Sequence, residues 1–302
     1  MFFFTSALHG RRGFWPTIGT IFLVIIGLII GQIPLTYFVA TGTGGTTGAM
    51  PSAAELGLDQ SLYLTLMILS FAGGLLGLML GVIFFHGRPW KTLITPYARI
   101  SWKRILQSFA IWMALTGVLE FLYYLFYPEN YVFQFDVGAF LPLLAVAIFL
   151  LPIQTSFEEI FFRGYLMQII GVAFKSKWVA VIITGVLFGL LHSANPEVSE
   201  FGFGRMMVYY IGFGVFAGTV TVLDDRLELM LGMHAATNIY GAAIVTFDAS
   251  ALQTPALFSV NQLDLQWMLV FFIISLIIYF SFFGTKLGWF STFSRAFAFN
   301  QR

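Results

Sequence analysis

The sequence predicts an all-α, polytopic transmembrane bundle of about eight helices, and three observations carry that expectation. The 302 residues are 59% hydrophobic and only 10% charged, whereas a soluble domain is nearer a quarter charged. Apolar runs of about 20 residues, the length that spans a bilayer, recur along almost the whole chain. The basic residues gather between alternate runs instead of spreading evenly. No long-period repeat or polar domain interrupts the pattern, so residues 1–302 read as one membrane domain.

The runs place crossings at 14–40, 61–85, 105–127, 139–163, 178–194, 205–223, 227–247 and 265–283. The first is too long for the apolar core of a secretion signal, and MFFFTSALHGRRGFWP offers no small-residue cleavage site. The loop 41–60, rich in Gly and Thr, is expected to be mobile. Within the second crossing Gly73, Gly77 and Gly81 form a stripe that lets a neighbouring helix approach closely. RPWKTLITPYARISWKR, residues 88–104, reads as a solvated basic loop, with an amphipathic surface helix as the other reading. His9 and His86 fall in the tail and at a helix end, where they read as solvated interface residues.

Orientation follows from Lys and Arg, which concentrate in cytoplasmic loops. With the N-terminus inside, Arg11, Arg12, Arg88, Lys91, Arg99, Lys103, Arg104, Lys175, Lys177, Arg226, Lys286, Arg295 and Arg302 all fall in cytoplasmic segments. Only Arg205, at a helix edge, and Arg163, inside a helix, do not. Both termini are therefore expected in the cytoplasm. A net charge of +1 and the lack of a basic patch give no sign of nucleic acid. The absence of cysteine removes thiol nucleophiles, thiolate metal sites and disulfides together.

Function is read from polar groups in apolar helices. A charge at mid-bilayer costs about 2.5–3.5 kcal/mol on insertion scales, so such groups usually face the bundle interior with partners. SFEEIFFRGYL, residues 156–166, holds Glu158, Glu159 and Arg163. Glu159 and Arg163 are four apart with the acid first, the favourable spacing for a same-face pair. Glu158 lies about 100° around the helix and can point elsewhere. The three read either as a buried ion cluster that fixes packing or as part of a reactive site.

His192 follows Gly185 and Gly189 in GVLFGLLHSAN, where small residues admit a second helix; a structural role and a chemical one are both open. His234 and Asn238 share a helix face in GMHAATNIYG, as a packing hydrogen bond or as a pair of donors. Glu120 reads as a packing residue, with a place on the wall of an interior cavity as the other reading. Taken together, a carboxylate, two imidazoles and an amide on three apolar helices form a set able to activate water and stabilise an oxyanion.

Those residues resemble a known family. EEIFFR fits EExxxR; Phe188 and His192 fit FxxxH; His234 and Asn238 fit HxxxN. In that order on successive membrane helices they are similar to the CPBP intramembrane proteases, which include type II CAAX prenyl endopeptidases and bacteriocin-processing or immunity proteins. The resemblance covers residues 139–247, the expected catalytic core. It implies helices around a water-accessible cavity open to cytoplasm and bilayer. It implies Glu158 as general base, assisted by His192, with His234 and Asn238 as the oxyanion hole. Glu159 and Arg163 would order the site, and Phe188 would pack beside it.

No cofactor is expected; a zinc-dependent version would use Glu158, His192 and His234, since Asn is a poor zinc ligand. HExxH, GxSxG and GxGD are absent, which disfavours other intramembrane proteases. The expected partners are membrane lipids and a membrane-associated protein or peptide, with a lipidated one as the geometrical guess. The expected location is a bacterial or archaeal cytoplasmic membrane. A non-catalytic scaffold or immunity protein of the family and a proton-coupled carrier are the other classes. One feature sits awkwardly: helical rise puts His192 roughly 22 Å from Lys177 and His234 roughly 12 Å from Arg226. Helix tilt, a break near Pro152 or a surface helix at 164–174 would each reconcile them.

Overall fold

The computed structural model describes residues 2–41 and 51–297, so most of the Gly/Thr-rich part of the first loop lies outside it. After a 3-10 turn, Thr5–His9, comes α1, Phe14–Thr41, and then α2, Gln60–Gly81, which runs on as a π turn to His86. α3 spans Trp102–Phe126, followed by β1, Tyr131–Phe133. α4, Val137–Phe149, and α5, Leu151–Glu159, lead through a π turn, Ile160–Leu166, into α6, Met167–Phe174. Then come α7, Lys177–Leu191; α8, Pro196–Phe201; α9, Phe203–Asp224; and α10, Glu228–Ala243. β2, Val245–Phe247, and β3, Phe258–Val260, precede α11, Leu265–Leu287, and α12, Trp289–Phe297.

The chain is an integral, multi-pass membrane protein and almost entirely helical. Among the described residues six helical segments have the length and composition of a membrane span: Phe14–Thr41, Gln60–His86, Trp102–Phe126, Val137–Phe174, Phe203–Asp224 and Leu265–Leu287. The two further crossings expected from the sequence are the shorter α7 and α10, of 15 and 16 residues, below the roughly 20 that span hydrocarbon. α10 is buried along most of its length, so it depends on protein rather than lipid for its surroundings.

The fourth crossing extends to Phe174 and is broken. Pro152 has no N–H to donate to Ile148, the helix is interrupted at Leu150 (φ −105°, ψ −38°), and α5 restarts with proline in its first turn, where the missing donor costs nothing. The break anticipated near Pro152 is therefore present.

Close helix contacts follow the small residues. A Cβ built on Gly73 would stand 2.1 Å from the Gly27 carbonyl oxygen, and one on Gly77 2.2 Å from that of Leu23. α1 and α2 thus touch backbone to backbone, with Gly27 and Gly31 completing the stripe from the other side. Gly185 and Gly189 press on Gly214, Val215 and Ile211 in the same way, joining α7 to α9.

One end of the bundle carries the basic segments. The Phe2 and Phe3 amides donate to the Asp225 carboxylate, Lys177 donates to the Ala296 carbonyl, and Arg226 lies 3.8 Å over the Tyr97 ring. At the other end β1–β3–β2 form a small mixed sheet, with Tyr131 opposite Val260 and Val245 opposite Phe258.

Two expected interface residues are instead buried. His86 faces the Arg11 carbonyl through Nδ1 at 2.8 Å and the Tyr165 hydroxyl through Nε2 at 3.0 Å, and Arg88 donates to Gln168 Oε1 at 2.8 Å. The N-terminal segment and α6 cover them, a long-range packing that local hydropathy does not encode. Burial pulls the Arg88 guanidinium down to about 10.

Candidate active site

The site is assembled on α5 and its π turn, the end of α7, and the middle of α10. α5 carries the two carboxylates, and the wider π turn follows directly; such turns are frequent at functional sites. Glu159, fully buried, receives Arg163 Nη1 at 2.9 Å on Oε1. The same oxygen faces His234 Nδ1 at 2.8 Å. The Arg163 guanidinium is itself 4.3 Å over the Phe188 ring and reaches the Gly214 carbonyl at 3.4 Å. The ion pair therefore ties α5 and its π turn to α7, α9 and α10.

Glu158 points differently, as its position around the helix requires. Its Oε1 accepts from Gln154 Nε2 at 2.7 Å, while its Oε2 lies 3.5 Å from His234 Nε2 and has no hydrogen-bond partner although buried. Two carboxylates and one guanidinium leave this cluster one negative charge in excess. The two carboxylates face the two ring nitrogens of His234, Glu159 at Nδ1 and Glu158 at Nε2, and either can accept an N–H from it.

Asn238 lies one turn along α10 and donates Nδ2 to Gln154 Oε1 at 2.9 Å. Gln154 is thus the hinge between Glu158 and Asn238, and the sequence reading passed over it. Its signal was available: it stands four residues before Glu158, on the same helix face. Asn238 retains a second N–H that this bond does not use.

His192 caps the end of α7. Its Nδ1 meets the Phe188 carbonyl at 2.7 Å, and its ring stacks on Tyr210 at 4.6 Å between centroids. No hydrogen bond joins it to Glu158. Phe188 is the common neighbour, 4.4 Å from the His192 ring and 6.0 Å from the His234 ring. The two imidazoles that helical rise set apart therefore flank one phenyl ring.

Zinc is tested by the donors themselves. Among the described residues no three His, Cys, Asp or Glu side chains gather as a ligand set. His234 is oriented through Nδ1 on Glu159 and His192 through Nδ1 on the Phe188 carbonyl, with Nε2 the outer nitrogen of each ring. Glu158, His192 and His234 are not gathered as a set of three ligands among the described residues.

Residues 137–240 match the type II CAAX prenyl endopeptidase Rce1-like family. The chain is 33% identical over 270 residues to the uncharacterized protein YyaK of Bacillus subtilis, covering 87% of this chain and 89% of that one. No solved structure matches.

Proposed function

Because the chain belongs to the type II CAAX prenyl endopeptidase Rce1-like family, we propose that it is an intramembrane endopeptidase whose base is Glu158. The observation that carries this reading is Glu158 Oε2, a buried carboxylate oxygen without a partner beside an imidazole. A carboxylate so placed is set to accept a proton from water.

In this mechanism water lies between Glu158 and His192. Its oxygen attacks the peptide carbonyl carbon as its proton passes to Glu158 Oε2. The developing oxyanion is held by N–H groups of His234 and Asn238. When the C–N bond breaks, the proton on Glu158 goes to the leaving amine, and the base is restored. Glu159 and Arg163 hold the His234 ring in place, and Phe188 shields the guanidinium from water. The substrate is a membrane-associated protein or peptide, a lipidated chain end included. The basic end of the bundle faces the cytoplasm of a bacterial membrane.

The test is cleavage by purified protein of candidates found by comparing proteomes of cells that carry the native chain and Glu158→Gln. Glu158→Gln and His192→Ala should each lower turnover by about 10²–10⁴-fold, the range for general-base loss, with membrane insertion unchanged. Activity should also persist in strong chelator. Retained cleavage in Glu158→Gln overturns the assignment. A cellular phenotype that survives this substitution would place the chain with the non-catalytic members of the family.

A further inference from the structure

Away from the carboxylate–histidine cluster, a partly open cavity of about 160 Å³ lies near the sheet, lined mainly by α3 and α11 with single residues of α9, α10, β1 and β3. That is close to the size of an engineered protein cavity of about 150 Å³ that takes benzene. Its wall combines aromatic rings with acids. Tyr123, Tyr131, Trp267 and Phe271 supply rings, Glu120 and Asp264 supply carboxylates, and among the described residues no Lys, Arg or His lines it. Glu120, read from the sequence as packing or lining a cavity, bonds the Tyr131 hydroxyl and borders this space.

The electrostatics of this space are incomplete. The Tyr131 hydroxyl satisfies one lone pair on Glu120 but brings no charge. Asp264 caps α11 through Oδ1 alone, accepting from the Gln266 and Trp267 amides. The rings are held in mutual contact, Tyr123 edge-on to both Tyr131 and Phe271, at 6.3 Å and 6.0 Å, and Trp267 5.6 Å from Phe271. Trp267 is exposed at the rim. Ring faces and carboxylates around a space with no basic residue attract an organic cation, and most strongly one whose methyl groups fill the volume.

We propose that this cavity binds an alkylammonium group of about the size of a trimethylammonium head, whether free or carried on a lipid. It is a separate site that shares walls with the catalytic cluster. Tyr209 and Thr237 line the cavity, while the next residues, Tyr210 and Asn238, contact His192 and Gln154.

The experiment is a titration of the full chain in detergent, read by tryptophan fluorescence and calorimetry. The probes are choline and its uncharged isostere 3,3-dimethylbutan-1-ol. Choline should bind at least about tenfold more tightly, in keeping with a desolvated cation–π contact. Glu120→Gln should bring the two within about twofold. Trp267→Leu, at the rim and free of the Tyr131 bond, should weaken choline alone. Short-chain phosphatidylcholine binding more tightly than choline, with phosphatidylglycerol inactive, assigns the head to a lipid; the reverse order assigns it to a soluble cation. Equal binding of choline and the isostere by the native chain, or an undiminished preference in Glu120→Gln, overturns the proposal. The readout is binding, so it is unaffected by whether the chain cleaves peptides.

Discussion

Gln154 stands one helical turn before Glu158 and donates its Nε2 hydrogen to Glu158 Oε1 at 2.7 Å, while accepting Asn238 Nδ2 at 2.9 Å. A single amide therefore fixes the proposed base and one proposed oxyanion donor relative to each other. Gln154→Leu should lower kcat by about tenfold or more with KM little changed, because only the geometry of reaction is lost. Gln154→Glu should be worse than leucine, since it sets a second acid against Glu158. Steady-state kinetics on both variants decide; a change confined to KM would assign Gln154 to substrate binding instead.

Arg163 is a stability residue first. Arg163→Met leaves Glu159 buried with its charge uncompensated, and breaking a buried pair from one side costs about 3–5 kcal/mol. The expected result is a large fall in Tm in detergent. Arg163→Met combined with Glu159→Gln should recover most of that fall but little activity, because His234 would still lose its anionic partner.

Gly73 should tolerate nothing larger. A Cβ there meets the Gly27 backbone oxygen at 2.1 Å, and backbone cannot swing aside as a side chain can. Gly73→Val is expected to separate α1 from α2 and reduce folded yield. Gly204, whose added Cβ meets nothing within 4 Å, serves as the control, and Gly204→Ala should leave yield unchanged.

Glu197 supplies a pH test outside the spans. Burial raises its carboxyl above the ordinary 4.5, opposed by the Ala251 amide that donates to it at 2.7 Å. A carboxyl raised in the folded state holds its proton more tightly there than in the unfolded chain. Its contribution is full below 4.5 and is lost as pH rises through the folded value. Hydrogen exchange of the 248–254 segment docked on α8 should therefore speed up with rising pH beyond base-catalysed exchange itself. Glu197→Gln should remove that excess.

Several of these features are legible in the amino-acid sequence itself. Glu159 and Arg163 pair because four residues make one helical turn, a relation wholly local to the sequence. Gly73 and Gly77 declared a close contact but not its partner, which required knowing that Gly27 and Gly31 lie opposite. Gln154 escaped notice because a glutamine in an apolar helix has no chemistry until Glu158 and Asn238 meet it. His86 and Arg88 were misread as solvated because burial there comes from the N-terminal segment and α6, which are distant in sequence.

By itself the sequence determined the membrane solvent, the helical class, and which polar groups had to find partners, since hydrocarbon penalises every unpaired charge wherever it lies along the chain. Tertiary structure alone decided which partners they found. It turned His234 between two acids, set His192 against Phe188 and Tyr210, and left Glu158 Oε2 bare. Those outcomes depend on the approach of α5, α7, α9 and α10 across the bundle, and helix packing is fixed by shape and close contact summed over many residues, a property no short stretch of sequence contains.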